Sequence, residues 1–480
     1  MLSKTRFFFT KNSIVLNILT QSKGCRLSIP SRLSKPGFGF NKYVSKFNSR
    51  HYSTLQTTVN NSIKDSPIIN AGKSSFRNNG SNTISNKSVG YWLIGTSSLV
   101  FGIVVLGGLT RLTESGLSIT EWKPVTGALP PLTQEDWELE FTKYKDSPEF
   151  KQLNSHINLE EFKFIYSMEW GHRLVGRGIG LFFILPAIYF WKRGRFSTHI
   201  TRRVVGLTGL LGLQGFIGWW MVKSGLDEEQ LVNRNSKPTV SQYRLTTHLG
   251  AAFLMYLGVL WTAFEILNEN KLLKLSKISP EKFESAISIL TSPKIRNIRL
   301  MGTGLLVLTF ITAMTGGMVA GLDAGLIYNT FPHMGDDIVP AYGELMSPVF
   351  ARKEDKSDLW WRNLLENPTT VQLVHRIFAT TAFFAILGAH HIVNKNKAII
   401  PKSAVKSMHT VMGFATLQVA LGISTLIYLV PIPLAAAHQA GALALLTTCL
   451  LFSARLKAPR PEAIGYINKL MKNQLLKVKY

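Results

Sequence analysis

"GGLTRLTESGL" at 107–117 and "GGMVAGLDAGL" at 316–326 are two versions of one phrase, each closing an apolar run in a chain of 480 residues. Three more pairs follow in the same order. "EWGHR" at 169–173 is matched by "QLVHR" at 372–376, "LQGFIG" at 213–218 by "LQVALG" at 417–422, and "HLGAA" at 248–252 by "HQAGA" at 438–442. Ordered matches of this kind predict a duplicated fold. Its elements are apolar segments near 91–109, 173–191, 204–222, 245–266, 300–320, 371–393, 404–430 and 434–453. About 20 predominantly apolar residues cross a bilayer as a helix. The expectation is therefore an all-α polytopic membrane protein, with eight transmembrane helices arranged as two duplicated four-helix bundles. Each half holds an even number of spans, so the repeat is parallel, not inverted.

Charge divides the rest of the chain. The formal net charge is +26, yet residues 112–168 hold five Lys/Arg against ten Asp/Glu, and residues 321–370 hold four against eight. The other connections, among them "KRGRFSTHITRR" at 192–203, residues 265–299 and "KNKAIIPK" at 395–402, are basic, as is the C-terminal tail. Positive loops stay on the side from which a membrane protein inserts. Both termini are thus predicted on the matrix side of the mitochondrial inner membrane, with the two acidic loops facing outward.

That compartment is read from residues 1–87, which hold 14 Lys/Arg and one acid, Asp65. An Arg- and Ser-rich, acid-poor start reads as a mitochondrial transit peptide, with "RHYS" at 50–53 marking its end. The predicted organisation is a transit peptide at 1–52, a basic matrix-side segment at 53–89, an N-terminal bundle at 90–266, a matrix linker at 267–299, a C-terminal bundle at 300–455 and a basic tail at 456–480. No folded nucleic-acid module follows the basic start, so its charge is read as targeting and not as nucleic-acid binding. The basic matrix loops suit either an acidic protein partner or anionic lipid.

Only two cysteines occur, Cys25 and Cys449. No thiolate metal site can be built from them, so a metal needs nitrogen or oxygen ligands or must arrive within a cofactor. Four histidines meet that need. His172, His248, His375 and His438 hold corresponding places in the two halves, each near the outer end of an even-numbered span. Two imidazoles on facing helices of one bundle can clamp an iron from opposite sides. One interfacial histidine would be unremarkable as a helix-end residue, whereas four at matched depth predict two haem-type sites.

Arg173 and Arg376 follow two of these histidines directly, and Arg177 lies one turn deeper than Arg173. Arginine suits the carboxylates of haem propionates, although snorkelling to the interface would place Arg173 and Arg376 equally well. The halves differ where Glu169 in the first is answered by Gln372 in the second. A spacing of i to i+3 puts Glu169 on the face that carries His172. That asymmetry points to acid–base chemistry in the first half and a permanently held haem in the second, against the plainer reading of an acid near a helix N-terminus.

The stretches "GGLTRLTESGLSITEWKPVTGALPP" at 107–131, "MEWGHRLVGR" at 168–177, "LQGFIGWWMV" at 213–222, "YRLTTHLGAA" at 243–252, "TGGMVAGLDAGLIYNTFPHMGD" at 315–336 and "VQLVHR" at 371–376 resemble the haem A synthase family in its mitochondrial form. The resemblance covers roughly residues 90 to 455. It implies oxidation of the C8 methyl of haem O to a formyl group by successive hydroxylations, giving haem A for cytochrome c oxidase. It further implies that His172 and His248 bind the substrate haem, that His375 and His438 hold a resident haem b, and that Glu169 is catalytic. A ferredoxin and its reductase are implied as electron donors, with haem O synthase, other cytochrome oxidase assembly factors and a second copy of the chain as further partners. The cysteine pair found in an outer loop of many bacterial members is missing here. A di-haem b-type electron-transfer protein would also explain four histidines, but not the contrast of Glu169 with Gln372.

Overall fold

The computed structural model describes residues 83–478 apart from 124–125 and 235–236. The transit peptide and nearly all of the 53–89 segment lie outside the described residues. Eight helices are long and apolar enough to cross a membrane: α1 (Lys87–Leu112), α2 (Leu159–Lys192), α3 (Thr198–Leu226), α4 (Gln242–Ile278), α5 (Pro293–Gly321), α6 (Pro368–Lys395), α7 (Lys402–Ile427) and α8 (Ile432–Leu456). Among the described residues the only β pairing is one bridge between Met334 and Asp337.

Helix starts follow capping chemistry. The first backbone N–H groups of a helix lack intrahelical acceptors, and a short polar side chain at the N-cap supplies one. Asn86 accepts from the Ser88 N–H before α1, and Asn158 accepts from Glu160 and Glu161 before α2. Ser197 opens α3, and Asn367 followed by Pro368 opens α6. The Asn158 cap sets α2 far ahead of its apolar run, so "MEWGHR" lies three turns inside a continuous helix. At the far end of α7 the sequence expectation runs too long. The span drawn to 430 stops at Ile427, because Leu429 and Val430 take left-handed φ values of 63° and 57°. The 267–299 stretch, drawn as a linker, is also largely helical: α4 runs on to Ile278, and a separate helix covers Pro280–Thr291. The 456–480 tail carries a helix as well, over Pro461–Val478.

Pairing is equivalent in the two halves. α1 packs on α2 and α4, and α3 on α4, while α5 packs on α6 and α8, and α7 on α8. One pairing differs: α2 and α3 touch only briefly, whereas α6 and α7 pack along a longer stretch. The halves meet along α1, α4, α5 and α8, where Val104, Phe253, Tyr256, Leu443 and Leu446 share one core. Polar contacts also bind that seam, Asn268 Nδ2 donating to the Ala454 carbonyl at 3.3 Å among them. The Tyr256 hydroxyl and Thr447 Oγ1 lie 2.6 Å apart, and Gln439 Nε2 donates to the Val104 carbonyl at 3.0 Å. Lipid offers helices no hydrophobic incentive to associate, so close packing and such bonds carry the seam, each bond worth on average ~0.6 kcal/mol.

At the inner end Glu265 and Glu269 of α4 are buried and heavily paired. Arg460 grips Glu269 through two bonds of 2.7 and 2.8 Å, while Lys457, Arg203 and His199 surround Glu265. This network ties the chain beyond α8 to the first half. At the outer end the 113–158 connection is a folded cap. A capping box from Thr133 to Asp136 starts its helix Gln134–Lys145. Phe141 and Tyr144 then stack on Phe162 of α2 at 4.9 and 5.2 Å.

Candidate functional site

Each of the four histidines rests against a glycine of the preceding span. A Cβ on Gly107 would come within 3.0 Å of His172 Nε2. On Gly218 it would meet His248 Cε1 at 3.2 Å, on Gly316 His375 Cε1 at 3.1 Å, and on Gly422 His438 Cε1 at 2.8 Å. The imidazoles therefore fill notches that only glycine leaves open. All four rings are half-buried. His172 lies within electrostatic range of His248, and His375 within range of His438. The Nδ1 atoms of His248 and His438 have no hydrogen-bond partner among the described residues.

Two imidazoles per half, seated in glycine notches, would suit ligation of a haem iron. Imidazole is a borderline-soft donor well matched to iron. Among the described residues no group of three or more His, Cys, Asp or Glu offers a cage for a bare metal ion. The donor set therefore favours a metal carried in a macrocycle.

The outer loop of each half is pinned to its second helix by one matched device. In the first half Glu169, only 3% exposed, accepts from Ser118 Oγ at 2.7 Å and from the Ile119 N–H at 2.8 Å. Its other oxygen accepts from Arg173 at 2.6 Å. Arg173 also donates to the carbonyls of Ile119 and Glu121, and Arg177 to that of Lys123 at 2.8 Å. In the second half Gln372 donates to the carbonyls of Ala324 and Tyr328. Arg376 donates to Tyr328, Thr330, Pro332 and His333. Glu114 and Asp323, which correspond across the repeat, both take a left-handed φ of 51° as the chain leaves α1 and α5.

This geometry adds two details to the sequence reading. Glu169 is not simply turned toward the His172 face, because its partners lie on Arg173 at i+4 and on the 118–119 backbone. A carboxyl group this buried needs every oxygen engaged. The three arginines direct donors to loop carbonyls, since loops that cover a helix end leave carbonyls in need of partners. Arg173 and Arg177 nonetheless line a cleft of about 310 Å³ between the loop and α2, with Glu121, Tyr166, Leu129 and Leu139 on its other walls.

Glu149, which the sequence reading passed over, is buried in the cap with the Tyr144 hydroxyl donating to it at 2.9 Å. Burial pushes its carboxyl up to about 8. The stretch "YKDSPEF" at 144–150 carries no pattern that marks Glu149 as buried. Glu265 and Glu269 were missed as well, because their cations lie near 200 and 460.

Residues 90–450 match the model of a family described as cytochrome oxidase assembly protein. A haem A synthase COX15 of Saccharomyces cerevisiae is 63% identical over 375 residues, covering 78% of this chain and 76% of its own length. The Homo sapiens haem A synthase COX15 is 44% identical, covering 75% of this chain and 81% of its own. A haem A synthase–mitochondrial ferredoxin fusion protein of Schizosaccharomyces pombe is 52% identical over 78% of this chain, which spans 60% of that longer protein.

Proposed function

The chain belongs to the COX15–CtaA family of cytochrome oxidase assembly proteins and functions as a haem A synthase, and on that premise we propose how its residues divide the work. It is a multi-pass mitochondrial membrane protein. The N-terminal bundle at 90–266 takes haem O between His172 and His248, and there its C8 methyl is oxidised to a formyl group by successive hydroxylations. The C-terminal bundle at 300–455 keeps a haem b between His375 and His438. When bound, that haem supplies one-electron transfer. Electrons come from a ferredoxin and its reductase, a reading supported by the fused relative. Both termini face the matrix of the inner membrane, as loop charge favours. We read the halves as one bundle duplicated, a reading supported by their equivalent pairings and by the four glycine–histidine contacts.

The observation that carries the division is the unequal fit of the two halves. The brief contact of α2 with α3 leaves the first half less enclosed than the second, as a substrate that enters and leaves requires. Arg173 and Arg177, at the cleft beside α2, offer guanidinium donors to propionates arriving at the outer face. Glu169 is the acidic group nearest His172 along the helix. It holds or accepts a proton as charge develops at the oxidised methyl carbon, and its bond to Arg173 sets the position of its carboxylate.

The test is haem analysis of chain purified in detergent from cells that supply haem O, beside a Glu169→Gln preparation. Haem A or a hydroxylated intermediate in the wild type, lost in the variant, supports the assignment. Haem B alone in both, at two per chain, would overturn it.

A further inference from the structure

His375 and His172 correspond across the repeat, but only His375 has a side-chain partner for its far ring nitrogen. Thr315 Oγ1 lies 2.9 Å from His375 Nδ1. The same hydroxyl donates to the Thr312 carbonyl at 2.7 Å. A threonine hydroxyl owns one proton, so toward His375 its oxygen acts as acceptor. That acceptor requires a hydrogen on Nδ1, which leaves Nε2 with its lone pair. This tautomer follows from the hydrogen-bond network.

In the first half the place of Thr315, one residue before the notch glycine, is taken by Leu106, which has nothing to offer His172. A second difference points the same way. Gln418 Nε2 donates to the His438 carbonyl at 2.8 Å, its side chain seated against Gly441 so tightly that a Cβ there would lie 2.2 Å from Oε1. The corresponding residues are Gln214 and Ala251. Ala251 carries a methyl that Gly441 lacks, and Gln214 Nε2 has no partner among the described residues.

We propose that Thr315 is a positioning residue: its hydroxyl, itself held by the Thr312 carbonyl, locks His375 in the tautomer that presents Nε2 to iron, and makes the second-half haem a permanent fixture. The inference rests on the reading of His375 and His438 as haem ligands. A neighbour that fixes the tautomer of a ligating histidine also raises its basicity, and loss of such a partner costs roughly 10–100-fold in affinity. A more basic ligand favours the ferric state, so removing the bond moves the midpoint potential upward.

The experiment compares wild type, Thr315→Val, Thr315→Ser and His375→Ala as purified holoproteins. It reads the midpoint potential of the b-type haem, its ferric low-spin electron paramagnetic resonance signal, and the rate of haem loss to a haem-free acceptor protein. Thr315→Val keeps the shape and removes the acceptor. It is expected to raise the potential, shift the signal and speed haem loss by roughly tenfold or more, while Thr315→Ser restores wild-type values. If His375→Ala abolishes the low-spin signal and Thr315→Val matches wild type in all three readings, the Thr315 inference fails while the ligand reading stands. If His375→Ala leaves the signal unchanged, the ligand reading fails and takes the inference with it.

Discussion

Gly422 and His438 face each other across α7 and α8 with no room for one more carbon: a Cβ on Gly422 would lie 2.8 Å from the imidazole Cε1. This is the tightest of the four glycine–histidine contacts and belongs to the half read as holding a permanent haem. A ring so placed has one orientation. A methyl group at 422 must turn it, at a cost of about 1–3 kcal/mol for an overpacked contact. Gly422→Ala is therefore expected to lower the b-type haem content of purified chain, measured spectroscopically against protein concentration. Gly413, in the same helix but with open space at its Cβ, is the control, and its alanine variant should keep full haem content.

At the seam between the halves, Gly108 lies beneath Gln439, where a Cβ would fall 1.6 Å from the amide oxygen. Gly108→Ala must expel that side chain and break its bond to the Val104 carbonyl. The expected loss is about 1–3 kcal/mol in unfolding from detergent. Gln439→Ala removes both the bond and the obstacle, so Gly108→Ala should cost far less in that background. Equal losses in the two backgrounds would mean the clash is relieved in another way.

Arg173 and Glu169 hold the 118–121 loop against α2. Removing Arg173 leaves the buried carboxyl without its cation, and breaking such a pair costs about 3–5 kcal/mol when both groups are enclosed. Arg173 keeps 19% of its side chain exposed, so solvent screening brings the expected loss below that range. Arg173→Ala should speed amide exchange at Ile119, whose N–H is bonded to Glu169, and leave exchange in α5 and α6 unchanged.

The outer cap carries a pH dependence of definite sign. Burial holds the folded-state Glu149 carboxyl at about 8, above the ordinary glutamate value of 4.5. Between these values the folded chain binds more protons than the unfolded one, so the cap loses stability as pH rises from 4.5 to 8. Each unit of difference corresponds to about 1.36 kcal/mol, which bounds the fall at roughly 5 kcal/mol. Glu149→Gln has nothing to titrate and should flatten the profile, read from Trp137 fluorescence or from proteolysis of the 113–158 connection. A variant that kept the wild-type slope would place the titrating group elsewhere.

Much of the architecture was legible before any coordinates. Eight apolar runs gave eight helices, because backbone groups in lipid must be satisfied within the segment and length alone then decides what can span. The ordered repeat located the four histidines at corresponding places, since helical rise turns sequence position directly into depth. The end of α7 was drawn three residues late because "IYLVP" remains apolar to its last residue, while the turn there is set by backbone conformation at Leu429 and Val430.

The partners of each polar side chain were decided by tertiary structure alone. Sequence determined that Glu169, His172 and Arg173 lie within about one turn of each other, that the second half substitutes Gln372 for the acid, and which residues could bind iron. It did not determine that Glu169 spends its oxygens on Ser118, Ile119 and Arg173, or that the arginines face loop carbonyls. Nor did it reveal Thr315 behind His375, or Glu149, Glu265 and Glu269 as buried acids. Periodicity and hydropathy are one-dimensional and report which face of a helix is apolar and how deep a residue lies. A hydrogen bond depends on about an ångström of position between helices far apart in the chain, and only the packing of all eight supplies that.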